Sequence, residues 1–164
     1  MKNLKLAVWI LILWLFQTVF SKYIRIDGVS PELLYIFVIC TALIEKKPQR
    51  YITVGIVSGL VADAFCGTVG FYLLIYTCTV FAVVWLSELI YKDMFFMVIP
   101  FAAVFTFVEN NIFYLLNSSG AMNYPTALKS IILPVMIYNA AAALIINFLL
   151  KKTAYARNRG TRRR

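Results

Sequence analysis

The chain has 164 residues, 62% of them hydrophobic and 14% charged, with a mean hydropathy of +0.82 and a formal net charge of +9. Soluble domains sit nearer half apolar and a quarter charged, so the apolar surplus points to lipid and argues against an ordinary globular protein. There is no His and there are only seven acidic residues, which leaves little material for metal-dependent or hydrolytic chemistry.

Six apolar segments are predicted, over 4–20, 30–44, 51–66, 71–91, 95–116 and 128–150. A helix needs about 20 residues to cross a hydrocarbon layer of about 30 Å. The first segment follows Lys2 and Lys5, as a signal peptide would. No small-residue cleavage site follows it, so a retained span or signal anchor is expected. The second and third are short and must be partly buried by neighbours or sit where the bilayer thins, which leaves four or five crossings open beside six. The expected class is therefore an all-α integral membrane protein with a single transmembrane domain over 1–150 and a basic tail over 151–164.

The sixteen basic residues set an orientation. With six crossings, thirteen Lys and Arg collect on the side of the two termini and three on the other. Basic residues are retained on the cytoplasmic side, so both termini are expected in the cytoplasm of a multi-pass inner-membrane protein. The tail, from Lys151 to Arg164, reads as a stop-transfer anchor on anionic lipid or as an electrostatic contact with a partner. It has neither aromatic interleaving nor a folded basic module, so nucleic acid is not expected as a partner.

In lipid, polar side chains are costly and are the candidates for function. The third segment is the richest. Gly55, Gly59 and Asp63 recur every four residues with Ser58 and Ala62 beside them, forming one small, faintly polar stripe on a helix. Gly55 to Gly59 is a GxxxG, which lets a second backbone approach closely, either from the same chain or from a partner. Asp63 stands at the end of this stripe, before Gly67-Thr68-Val69-Gly70. It reads as an anchor for a partner or ligand, or as a turn carboxylate.

Glu109-Asn110-Asn111 places three polar residues around most of a helix, so some of them must face protein or water. Asn139 and Asn147 share a face of the last segment, and Pro100 and Pro134 can each bend their helices. Glu88 and Lys92 have the spacing of a surface pair. A paired-carboxylate mechanism would need Asp63 and Glu109 to converge. The cysteines Cys40, Cys66 and Cys78 lack metal-site or redox spacing and read as small apolar residues. No catalytic residue, metal site or cofactor is expected, and the chain reads as a non-enzyme.

Three stretches taken together resemble the rod shape-determining protein MreD family of bacterial inner membranes. Ser30-Pro31-Glu32-Leu33-Leu34 is similar to that family's Pro-x-Leu-Leu run, and the stretch from Gly55 to Gly70 to its Gly-x3-Gly-Leu-x2-Asp segment and turn. Leu133-Pro134 with Asn139 resembles its last helix. Segments one and five carry no such pattern. The resemblance implies a non-enzymatic scaffold of the cell-wall elongation machinery that binds MreC. The wider complex would include the actin-like MreB, a glycosyltransferase of the shape–elongation–division type and a penicillin-binding transpeptidase, with self-association as a homodimer left open. It also implies a six-helix fold like the substrate-binding subunits of energy-coupling-factor vitamin transporters, which makes such a subunit the rival reading. Those subunits carry an Ala-x3-Ala docking motif on their first helix, and Leu4 to Leu11 lacks it.

Overall fold

A computed structural model describes residues 2–24, 30–45, 47–89, 97–117 and 123–161, and its side chains over 6–19, 30–45, 47–89, 97–116 and 123–152. The helices are α1 (Lys2–Ile24), α2 (Leu33–Ile44), α3 (Pro48–Cys66), α4 (Phe71–Leu89) and α5 (Val98–Asn117). The last described stretch is one continuous rod made of α6 (Tyr124–Ala127), a π-helical turn (Leu128–Ile132) and α7 (Leu133–Thr161). With that rod counted once, the described residues form six helices and no strand. Three of these, α4, α5 up to Leu116 and the rod up to Lys152, are long and apolar enough to cross a membrane.

The shortest helix lies at the centre. Every residue of α2 from Leu34 to Ala42 is buried, and α1, α3, α4, α5 and α7 all pack around it. A helix that is apolar all round can face protein on every side. This is why α2 can be only 12 residues long, a rise of about 18 Å. The short second segment is thus resolved by burial among neighbours. The third segment is longer than its hydropathy suggests: Pro48 opens α3 in the first turn, where its missing N–H costs no helical bond.

The outer helices carry apolar residues on both sides. Leu74, Phe81 and Trp85 on α4 and Leu11, Leu15 and Val19 on α1 are exposed, the surface a lipid-facing helix presents. α1 is held against the bundle by the Trp14 ring, 4.2 Å from that of Phe65 on α3, and by the Gln17 side chain described below.

In the last rod the π-helical turn directly precedes Pro134. A helical proline has no N–H for the carbonyl four residues back and its ring crowds that group. One wider turn accommodates the ring, and the helix runs on through Pro134. The rod also continues well past residue 150, so the basic tail is helical as far as Thr161.

Candidate functional site

The small-residue stripe of α3 is filled from within the chain. A Cβ built on Gly59 would lie 2.6 Å from Leu73 Cα and 2.9 Å from the Tyr72 carbonyl oxygen, both on α4. One built on Gly55 would lie 2.8 Å from Val80 Cγ2. Here the glycines are needed for close approach of two backbones rather than for turning. Ser58 and Ala62 are buried on the same face. The stripe therefore packs α3 on α4 and leaves no slot there for another chain's helix.

Asp63 closes this hairpin. Its Oδ1 accepts from the Thr68 hydroxyl at 2.6 Å and from the Tyr72 N–H at 3.0 Å, while Oδ2 accepts from the Leu73 N–H at 3.0 Å. These amides belong to the first turn of α4, where backbone donors lack helical partners and a negative charge meets the positive end of the helix dipole. Gly67 and Gly70 adopt left-handed φ values of 69° and 79°, which let the chain reverse in four residues. Of the two readings of Asp63, the turn carboxylate accounts for its bonds.

A second polar group lies deeper, where α2 begins. The Glu32 N–H donates to Asn139 Oδ1 at 2.9 Å, and the Leu34 N–H donates to Gln17 Oε1 at 3.1 Å. Gln17 is seven residues before the end of α1, roughly 10 Å along its axis. Residues 30–32 thus carry non-helical backbone down among the helices, a course tolerated in an apolar layer only where protein covers it. The side chains of Gln17 and Asn139 supply acceptors for amides that would otherwise be orphaned.

Asn139 is fully buried and uses both ends of its amide. With its oxygen taken by the Glu32 N–H, its Nδ2 donates to Thr106 Oγ1 at 3.0 Å and lies 3.4 Å from Glu32 Oε2. The Glu109 carboxyl enters from α5, about two turns below the end of that helix, and comes within hydrogen-bonding reach of the Glu32 carboxyl. Glu109 is 2% exposed, yet neither of its oxygens finds a donor. Among the described residues no Lys or Arg pairs with either carboxyl; the ion pair that is present joins Arg50 to Glu45 at 3.0 Å, in the turn between α2 and α3.

Tyrosines form one wall. The Tyr35 hydroxyl lies 2.8 Å from Thr79 Oγ1 and 3.2 Å from the Phe105 carbonyl oxygen. The Tyr35 ring packs on Tyr76 at 4.9 Å, which meets Tyr72 at 5.8 Å.

The structure thus separates the expected site residues into two groups. Gly55, Ser58, Gly59, Ala62 and Asp63 form the α3–α4 hairpin. Glu109 and Asn139 are both buried in the interior, where each approaches Glu32. Asn110 and Asn111 turn back on their own helix, donating to the Thr106 and Phe107 carbonyls at 3.1 and 2.7 Å. Asn111 also accepts from the Tyr124 hydroxyl at 2.7 Å. Asp63 and Glu109 do not converge as a pair: the carboxyl that meets Glu109 is Glu32. Sequence reasoning passed over Glu32 as a site residue, along with Tyr35, Thr79 and Thr106. The available signal was an acidic residue after a proline, heading an apolar run too short to span a membrane. Lys92, the expected partner of Glu88, lies outside the described residues. All three cysteines are free, Cys40 buried and Cys66 and Cys78 exposed.

Comparison with known proteins finds no matching family model, curated protein or solved structure.

Proposed function

We propose that this chain is a non-enzymatic membrane scaffold of the cell-wall elongation machinery, of the MreD type, which binds MreC and helps maintain rod shape. The observation that carries the reading is the stretch from Gly55 to Gly70, whose glycines, aspartate and turn resemble that family's pattern. In the folded chain this stretch lies closely on α4, with the turn between the two helices tied to Asp63. Such a unit holds its shape in lipid without help from a partner, as a scaffold must. A partner's helix would dock on outward apolar faces, such as that of α1, because the α3 stripe is occupied by α4. The excess of basic residues supports an inner-membrane orientation with both termini in the cytoplasm.

Depletion of the protein in a rod-shaped bacterium is expected to give round cells, and MreC is expected to co-purify with the intact chain. Rods that keep their shape after complete loss, with no second copy of the gene present, would overturn the proposal.

The rival reading, a substrate-binding subunit of an energy-coupling-factor vitamin transporter, draws on the polar interior at Glu32, Glu109 and Asn139. It predicts a vitamin-sized ligand retained on detergent-purified protein and co-purification with ATPase subunits.

A further inference from the structure

Glu109 is a buried acid that the scaffold reading does not use. Its two oxygens face no N–H and no O–H, and the Glu32 carboxyl lies within hydrogen-bonding reach. A carboxylate as deeply buried as Glu109 carries a desolvation cost of several kcal/mol, and a second carboxylate in reach of it adds repulsion. Among the described residues no basic side chain stands beside them, so a cation or a proton between them would relieve that cost. Asp63 shows how the same fold treats a carboxylate it means to satisfy internally, surrounding it with three donors.

The neighbours narrow the identity of that occupant. Asn139 bonds to Glu32 on one side and to Thr106 on the other at 2.9–3.0 Å, and Tyr35, Thr106 and Asn139 are all essentially inaccessible. The free valences are oxygens: both from Glu109, those left on Glu32, and a lone pair of Thr106 Oγ1. Oxygen-only donors select hard cations over zinc or copper. Only part of a six- to eight-oxygen calcium shell is present, and Asn139 presents its NH2 face rather than its carbonyl to the site. Among the described residues the other titratable groups facing the pair are the phenols of Tyr35, Tyr72 and Tyr76 and the Cys66 thiol, and none of these brings a positive charge.

We infer that Glu32 and Glu109, with the Thr106 hydroxyl, form an interior binding site for one small alkali cation of about the size of sodium, which joins α5 to the start of α2. The site is independent of the scaffold reading and would survive its failure.

The test is thermal unfolding of the full chain in detergent at fixed pH and ionic strength, with NaCl replacing choline chloride. A ligand that binds only the folded state raises Tm with its concentration, so Tm is expected to rise by several degrees and to saturate. Glu109→Gln should fold and lose the sodium response, as should the more conservative Thr106→Val; radioactive sodium binding to the same proteins gives a readout that does not depend on stability. Four results would overturn the inference. These are equal Tm in sodium and choline, a sodium response retained by Glu109→Gln, a response to calcium but not sodium, and a cation-insensitive wild type that Glu109→Gln stabilises. The last would mean that a proton occupies the site.

Discussion

The α3–α4 hairpin and the junction of α2, α5 and α7 both bury a carboxylate, and they treat it in opposite ways. Asp63 accepts three hydrogen bonds from the turn and helix that follow it. Glu109 accepts none and meets another acid. An acid surrounded by donors from its own chain is part of the architecture, and its removal leaves those donors exposed to an apolar layer. An acid without donors costs folding energy, so it is retained for something other than stability. By this contrast the hairpin is structural and the junction is the place to look for a ligand.

The widest difference should come from Gly59→Leu. Even a Cβ at this position would sit 2.6 Å from α4 backbone, which no rotamer change can relieve, so α3 and α4 must separate. The expected loss is about 3 kcal/mol or more, measured as a collapse of the unfolding midpoint in mixed detergent. An unchanged midpoint would mean that the hairpin is not closed as described.

Asp63→Ala comes next. It orphans the Thr68 hydroxyl and two amides of the first turn of α4, with an expected loss of about 2 kcal/mol. Hydrogen exchange should show the lost protection concentrated at Tyr72 and Leu73. Asp63→Asn keeps one acceptor and should fall between wild type and Ala. Equal stability of all three would remove the distinction between the two acids.

The smallest effect, and the one of opposite sign, is expected at Glu109→Gln in choline buffer. Replacing an uncompensated buried acid by a neutral amide of the same shape removes a repulsion and supplies two donors towards Glu32. Stability should stay level or rise by about 1 kcal/mol by the same unfolding measurement. A loss as large as that of Asp63→Ala would show Glu109 to be a structural acid too.

How much of this was legible beforehand differs between the two regions. The hairpin was close to readable, because its determinants are local: glycines spaced by one helical turn, an aspartate in register with them, and two more glycines in the reversal. What the spacing left open was whether the stripe would meet its own chain or another. That depends on which helix lies opposite, and the four-residue turn brings α4 there first. The junction was only half visible. Glu109 and Asn139 stood out as polar residues in apolar segments, but what each of them approaches is Glu32, which lies 107 residues from the asparagine it contacts. Asn110 and Asn111 carried the same polar signal as Glu109, and only the rotation of α5 about its axis distinguished them.

By itself, then, the sequence determined the helical class, the six apolar segments, the apolar character of the surface and the packing motif of α3. These follow from composition and from short-range periodicity, which act within a few residues. Only the tertiary structure decided that the shortest helix is the central one, that Asp63 serves the turn, and that Glu32 and Glu109 share a buried junction. Burial and carboxyl–carboxyl contact are properties of the space between helices, and no single helix encodes what will lie across from it.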